Sequence, residues 1–503
     1  MPRVGAAALL GALHTPAYAD PQRLWPLSVL ALALLVALLR PSTPGRAAWI
    51  GLAFGSGWLG AGVWWLFVSM HRYGGLPGWM AGAAVGALSV ALSAYLALAC
   101  AAWARFRPGR AGPDAVLFAA LWLLAELARG VLFTGFPWVA SGYALVDAPL
   151  AALAPWVGVY GVGAMLAFAA ALLGALGGMG GMGWQRRGAA LAGAAFVLLA
   201  PALASGLQFT QPAGRVSVSL LQTNVAQDKK FAADHLPGVL AALGAELQRA
   251  RGQLVVAPET AVPMLPATLA MLEPDWWATH VEPIARSGRA ALIGVPLGDS
   301  MAGYTNSVAG VHAGPAYRYD KHHLVPFGEF IPTGFRWFTE LMQIPLGDFA
   351  RGPLRAPAFL ALGQRFGPNV CYEDLFGEEL AARFTDPAQA PTVLVNLSNI
   401  AWFGHTVALP QHLHITRMRT LELERPMLRA TNTGVTAIVD HRARVVDRLP
   451  VLQAGVLEGE VEGRQGLTPY ARWAGAFGLW PLALLAIALA WLAAHAGGPR
   501  PAP

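Results

Sequence analysis

Cysteine is nearly missing. The chain has 503 residues and two of them, Cys100 and Cys371, are cysteine. Two thiols exclude a disulfide framework. Charge is scarce too, at 13% of residues, against about 25% in an ordinary soluble domain. Lysine is absent from residues 1–206, which hold eleven arginines and only four acids, Asp20, Asp114, Glu126 and Asp147. That segment therefore carries the whole net charge of +7, and the remainder, with 24 basic and 24 acidic residues, is neutral. The basic balance belongs to the most apolar part of the chain. It is not a clustered basic face, so nucleic acid is excluded as a partner. No fixed-period repeat and no low-complexity linker is present, which excludes a solenoid.

What is present is apolar sequence, 55% of the chain. Eight runs stand out, at roughly 4–19, 24–40, 47–70, 77–103, 115–136, 149–174, 188–207 and 473–494. Most reach the roughly 20 residues that cross a bilayer, so eight spans are expected. In the first run, Ala17–Ala19 ("AYA") resembles a signal-peptidase site, but one arginine makes a weak n-region. Either outcome leaves the later spans oriented alike. Arg3, Arg40, Arg46, Arg105, Arg107, Arg110, Arg186 and Arg187 fall on one side, and only Arg23 and Arg72 on the other. The positive-inside rule puts the arginine-rich side and both termini in the cytoplasm. Three parts follow: a seven-span membrane domain 1–207, an extracytoplasmic (periplasmic) domain 208–470, and a final span with a short tail, 471–503. The expected location is a cell inner membrane, crossed many times.

The insert reads as α/β. Strand-like runs are Val216–Gln222, Leu254–Ala257, Ala291–Val295, Thr392–Leu397 and Thr436–Val439. Helix-like stretches, Leu236–Arg251 and His412–Leu423 among them, alternate with them, which argues for a layered α/β fold. The glycine-rich Gly177–Gly183 is a loop without the strand–loop–helix context of a phosphate cradle.

Three segments of the insert carry reactive side chains: "VVAPETAVP" with Glu259, "YDKHHLVPFGEF" with Lys321 and Glu329, and "FGPNVCYEDLF" with Cys371. Glu259 and Cys371 each end an apolar strand, where α/β sites are usually built. A lone glutamate after a strand is more often a solvated loop residue; the three together suggest a thiol nucleophile, a carboxylate base and a cation. Two acids, Glu373 and Asp374, follow the thiol and would disfavour its ionisation if they faced it. A helix starting at Tyr372 or Glu373 and the Lys321 ammonium would act the other way. Glu373 then faces either Lys321 or that helix start. Cys100 lies within an apolar run and reads as inert packing.

Other features have plainer readings. Glu126 and Arg129, three apart in a span, read as a structural pair, although intramembrane charges always raise a functional question. Trp58, Trp64, Trp65, Trp79, Trp138 and Trp480 read as interface belt or packing. His322–His323 and His412/His414 match no strong zinc spacing, so neither metal nor cofactor is expected. His412 and His414, two apart on a helix, face different ways.

The "PET", "DK" and "NVCYED" contexts resemble the nitrilase superfamily. Glu126–Leu150, "DKHHLVPFGEF", "NLSNIAWFG", "QHLHITRMRTLELERPMLRATNTGVTA" and "GLTPYAR" narrow the resemblance to its membrane-embedded branch, the apolipoprotein N-acyltransferase family, over nearly the full chain. The resemblance implies a nitrilase-like αββα sandwich beside a polytopic helical domain. It implies a ping-pong reaction: Cys371 takes the sn-1 acyl chain of a phospholipid, typically phosphatidylethanolamine, as a thioester. The α-amine of the diacylglyceryl-cysteine of an apolipoprotein then accepts it. Glu259 would be the general base and Lys321 the oxyanion stabiliser. Glu329, Tyr372 and Glu373 match supporting site residues. Phe231 falls where tryptophan is frequent in the family, and Ile400 where aspartate is; Ile400 is left out of the site and Trp402 is kept as an apolar wall. Partners are then the lipid donor, the lipoprotein acceptor and membrane lipids, with the enzyme a monomer. Apolar loops at Arg336–Phe349, with Trp337 and Phe338, and at Ala401–Pro410 are expected either to dip into the interface or to gate entry. A membrane-anchored amidase or hydrolase shares the triad and is the competing reading; a transporter with an outside binding domain leaves the triad unexplained.

Overall fold

A computed structural model describes residues 2–178, 184–299, 303–332, 334 and 349–496. The chain divides into two compact units, one of 1–67, 77–207 and 477–503, the other of 68–76 and 208–476. The expected interface loop within 336–348, with Trp337 and Phe338, and the tail from Gly497 lie outside the described residues, as does most of Gly177–Gly183.

The first unit is helical. Among the described residues five helices are long and apolar enough to cross a membrane, and counting each of two bent pairs as one span brings the number to seven. The expected first span falls short. It folds as Pro2–His14 and a 3₁₀ turn Thr15–Tyr18. A helix of 13 residues rises only about 20 Å, less than a hydrocarbon core of about 30 Å. This short helix is nonetheless tightly seated on Pro44–Gly62. A Cβ at Gly11 would strike the Phe54 carbonyl and one at Gly57 the Ala8 carbonyl. The two backbones touch where side chains are absent. Trp58, Trp65 and Trp138 are packed inside, whereas Trp64, Trp79 and Trp480 face outward.

The Glu126–Arg129 pair has a structural task. Both side chains are buried, 3.4 Å apart. Glu126 accepts from the Ser141 N–H at 2.8 Å and the Ser141 hydroxyl at 2.6 Å; Arg129 donates to the carbonyls of Phe136 and Trp138 at 2.7 and 2.8 Å. These bonds satisfy the irregular backbone after the helix Ala111–Val131, where Phe133, Thr134 and Val139 hold left-handed φ values. In an apolar environment such backbone persists only when its polar groups find partners.

Among the described residues the second unit holds twelve strands: β1 Thr210–Gln222, β2 Leu254–Ala257, β3 Ala290–Asp299, β4 Gly303–Val311, β5 Tyr317–Asp320, β6 Phe359–Ala361, β7 Gln364–Val370, β8 Val393–Ser398, β9 Met427–Thr431, β10 Ala437–Val439, β11 Val445–Arg448 and β12 Gly455–Gly466. They form two six-stranded sheets, ordered β12-β1-β2-β3-β4-β5 and β11-β10-β9-β8-β7-β6. Each has a parallel centre (β1-β2-β3; β7-β8-β9) and antiparallel edges. β2 is LVVA and buried on both faces, as a central parallel strand must be.

Alternation sorts its side chains. Leu254 and Val256 join Leu292, Phe366, Val395 and Leu428 between the sheets. Val255 and Ala257 join Leu240, Leu243, Leu247 and Ile284 of the outer helices. Leu394 and Met427 pack outward on Leu380 and Phe384, and Val439 on Leu413. The result is the αββα sandwich. β1 begins at Thr210, ahead of the expected Val216, because β12 pairs with it from Thr210↔Gly466 to Gln222↔Gly455. The helices expected at Leu236–Arg251 and His412–Leu423 run Leu236–Arg249 and Ala408–Leu423.

Candidate active site

The reactive side chains sit where strands end. Glu259 follows β2, Lys321 follows β5 and Cys371 follows β7. The turn carrying Glu259 lies directly on β3: a Cβ at Gly294 would come within 2.7 Å of the Glu259 Cα and the Thr260 nitrogen, and Thr260 itself has φ +50°. Glycine at 294 lets Glu259 project at this angle.

Glu259 is 7% exposed and fully engaged. Its Oε1 accepts from Asn306 Nδ2 at 2.7 Å and lies 3.8 Å from Lys321 Nζ; its Oε2 accepts from the Asn399 N–H at 2.7 Å. The last bond crosses from one sheet to the other. Lys321, 1% exposed, is held by both oxygens of Glu329 at 2.9 and 2.8 Å. Asn306 also donates to Glu329 at 2.7 Å, so one amide ties the two carboxylates together. Burial alone would strip the proton from Lys321, but Glu329 and then Glu259 outweigh it and hold the ammonium well above its usual range. Opposite charges at this distance favour the ionised form.

Cys371 is half-buried and its sulfur accepts from Ser398 Oγ at 3.3 Å. Its φ of +51° is left-handed. Such a conformation costs roughly 1–3 kcal/mol in a non-glycine residue. Its carbonyl is held by Asn396 Nδ2 and His412 Nε2, each at 3.3 Å. Burial, and next the Glu259 charge, push the thiol up to about 12; Lys321 and the Ser398 hydroxyl act the other way without winning. The resting sulfur is thus a thiol that needs a base, not a standing thiolate.

The helix expected from Tyr372 or Glu373 is a single 3₁₀ turn, Cys371–Leu375, that starts at the cysteine itself. One turn sums few peptide dipoles, so its pull on the sulfur is small. The two acids after Cys371 turn elsewhere. Glu373 accepts from the N–H groups of His322 and His323 at 2.7 and 3.1 Å, from the Val370 N–H at 2.6 Å and from Tyr319 Oη at 2.7 Å. None of these partners is Lys321; Glu373 fastens the loop that carries Lys321 to the end of β7.

Asp374 is wholly buried, 3.0 Å from His412 Nε2, 2.7 Å from Thr416 Oγ1 and 3.3 Å from Arg429 Nη1. Burial alone would raise its carboxyl, but His412, Arg429 and Thr416 together hold it below the usual range. A guanidinium only donates. His412 Nδ1 therefore accepts from Arg429 at 3.1 Å, and Nε2 carries the proton shared with Asp374 and the Cys371 carbonyl. His414, by contrast, meets Arg417 at 3.1 Å, so the two histidines do diverge. Among the described residues no group of three metal-ligating side chains occurs.

Of the other expected site residues, Tyr372 is packed in an aromatic cluster with His323 and Phe376, at 5.6 and 5.2 Å. Phe231 and Trp402 are 51% and 40% exposed; Trp402 meets the edge of Tyr73 at 5.7 Å, from the 68–76 segment of the same unit. Ile400 is buried. Asn306, Asn399, Ser398 and Lys230 lie around the site and are not singled out by the sequence, and His412, weighed there only as a metal ligand, lies beside it as well. Of these, only Asn399 and Ser398 carry a signal, by lying at the end of an expected strand.

The α/β unit with its two mixed sheets is of the carbon–nitrogen hydrolase class of enzyme: the carbon-nitrogen hydrolase family matches residues 217–470. The apolipoprotein N-acyltransferase N-terminal domain family matches residues 10–172. The chain is 51% identical over 501 residues to the apolipoprotein N-acyltransferase of Verminephrobacter eiseniae, covering 95% of this chain and 92% of the relative. It is 48% identical over 500 residues to that of Ralstonia nicotianae, with the same coverage, and 42% identical over 548 residues to that of Bordetella bronchiseptica, covering 99% and 97%. The chain belongs to the apolipoprotein N-acyltransferase family.

Proposed function

We propose that this protein N-acylates apolipoproteins by a two-step transfer through Cys371. The reading rests above all on one observation: Glu259 is locked between Asn306, Asn399 and Lys321 in the same unit as the strand-end thiol Cys371. In the first step the Cys371 proton passes to Glu259 as the sulfur attacks an ester carbonyl of a phospholipid, at the sn-1 chain and typically of phosphatidylethanolamine. Lys321 faces the negative oxygen of the tetrahedral intermediate, where a preplaced charge is worth most. The intermediate collapses, the lysophospholipid oxygen takes the proton from Glu259, and a thioester remains. In the second step the neutral α-amine of a diacylglyceryl-cysteine attacks the thioester and gives a proton to Glu259; the C–S bond breaks as Glu259 passes that proton to the departing sulfur, leaving the amide and restoring the Cys371 thiol and the carboxylate. Splitting one hard transfer into two is the gain of covalent catalysis, and ping-pong kinetics follow.

Glu329 keeps Lys321 charged, and Glu373 fixes its loop. Tyr372 supports that loop through His323, and Phe231 and Trp402 offer apolar surface to acyl chains. We place residues 208–470 on the periplasmic side of an inner membrane, 1–207 and 471–503 in and around it, and both termini in the cytoplasm, from the arginine distribution. The working form in this reading is a monomer. The hydrolase reading shares every one of these groups but gives no role to the many apolar helices.

The test is incubation of the purified protein with phosphatidylethanolamine and a diacylglyceryl lipopeptide, followed by mass spectrometry. Acyl mass on Cys371, then on the lipopeptide amine, is expected. Acyl-Cys371 that ends only in free fatty acid would make the protein a hydrolase, and no acyl-Cys371 at all would remove both readings.

A further inference from the structure

The whole chain has three lysines, Lys229, Lys230 and Lys321. Two of them are almost entirely buried, and both lie in this site: Lys321 is 1% exposed and Lys230 2%. A buried ammonium is expensive unless it answers nearby negative charge. Lys230 ends the single helical turn Gln227–Lys230, and its Nζ donates to the main-chain carbonyl of Glu259 at 2.9 Å. From the same turn, Gln227 Oε1 accepts from Asn399 Nδ2 at 2.9 Å. Asn399 is the residue whose N–H holds the Glu259 carboxylate. One short turn therefore grips the base at both ends, its backbone through Lys230 and its carboxylate through Gln227 and Asn399.

Charge balance gives the lysine a second task. Without it the buried carboxylates Glu259, Glu329 and Glu373 face the one ammonium of Lys321. Asp374 and Arg429 pair with each other. Lys230 brings the cluster closer to balance and adds a cation that acts on a forming thiolate.

We propose that the Gln227–Lys230 turn is the positioning device of the catalytic base, and that Lys230 is a positioning residue for Cys371 acylation, acting through Glu259 and through its charge on the sulfur. This rests on the two-step reading above. The charged groups acting on Lys230 are Glu259 and Cys371; those on the sulfur are Glu259, Lys321, Asp374, Lys230 and Arg429. Burial brings the Lys230 ammonium down to about 8, with Glu259 and Cys371 opposing the fall. The group is charged below that pH and neutral above it, so the acylation rate should decline on the alkaline side as the second cation disappears.

The experiment uses the full chain in detergent with two readouts, the rate of Cys371 acylation by phosphatidylethanolamine and the pH profile of Cys371 alkylation by iodoacetamide. Lys230→Met is expected to slow acylation about 30-fold or more through kcat with KM little changed, and to move the alkylation profile to higher pH. Lys230→Arg should restore much of both, and Gln227→Leu should slow acylation about tenfold while leaving the alkylation profile near that of wild type. A folded Lys230→Met with wild-type rate and profile overturns the proposal. Should that variant not fold, a wild-type rate in Gln227→Leu overturns the clamp, and a tenfold loss sustains it. If the unaltered protein never acylates Cys371 but Lys230→Met still shifts alkylation, the lipid reading fails and the positioning role stands.

Discussion

Each unit of this chain buries an acid beside a base, and the two pairs are spent differently. In the membrane unit, Glu126 is used up by Ser141 and Arg129, and Arg129 by Glu126 and two carbonyls. The strong bonds there end on backbone, on the Ser141 hydroxyl or on the partner, and the product is a fixed loop. In the catalytic unit, Glu259, Glu329 and Lys321 are just as buried and as well bonded, but one member of the cluster, Cys371, keeps a proton that a neighbouring carboxylate can take. Burial of charge by itself does not mark a catalytic centre. In the proposed mechanism it is the transferable proton of Cys371, set against Glu259 and Lys321, that makes the difference.

The contrast can be broken most directly at the sulfur and its cation. Cys371→Ala should abolish lipopeptide acylation, and Lys321→Met should lower it by about 10³-fold, the scale of losing a principal oxyanion donor. Mass spectrometry of the lipopeptide reads both. A Lys321→Met enzyme retaining wild-type turnover would make the Lys321 network as purely architectural as that of Arg129.

The membrane pair supplies the opposite case. Glu126→Ala leaves Arg129 buried without its carboxylate and should destabilise by about 3 kcal/mol. Detergent-phase unfolding would show the loss, while Cys371 alkylation in the remaining folded protein should stay at the wild-type rate. An altered alkylation rate would mean that Glu126 reaches the site.

Asn306 sharpens the comparison from within the site, since it is the bridge between two carboxylates. Asn306→Ala should slow acylation about 10- to 100-fold. A wild-type rate in the folded variant would assign Asn306 to packing alone.

The smallest expected effect concerns an acid used by neither network. Glu378, in the turn Gly377–Ala381, is raised to about 7 by burial and then by Glu379. A carboxyl raised on folding stabilises fully below its unfolded value and loses that contribution as pH rises through the folded one. Glu378→Gln should therefore gain on the order of 1 kcal/mol relative to wild type at about pH 8, and none near pH 4. Equal stability at both pH values would show that burial of Glu378 is relieved in solution.

Much of the fold is legible in the sequence because its signals are local. Apolar length marks a membrane helix from within its own stretch of about 20 residues. β2 occupies the expected Leu254–Ala257, because a run buried on both faces is apolar throughout. The first helix is shorter than its apolar run for a related reason: that run includes the Thr15–Tyr18 turn, through which the α-helical backbone does not continue. Glu259, Lys321 and Cys371 are legible as types at chain positions, since a reactive side chain after an apolar strand is a pattern of neighbours in sequence. What those residues touch is not. Asn306 lies 47 residues from Glu259, Asn399 lies 140 away, and Thr210 at the start of β1 pairs with Gly466 at the end of β12.

Helical and α/β character, family and reactive atoms thus follow from the order of residues alone. How those atoms behave depends on distant segments folding together. Folding turned Glu373 toward the N–H groups of His322 and His323, sank Asp374 onto His412 and Arg429, gave Cys371 a left-handed backbone, and brought Lys230 under Glu259. The cause is electrostatic. A charge in a low-dielectric interior is governed by the few groups within several ångströms, and which groups those are is fixed only when distant strands close into one sandwich.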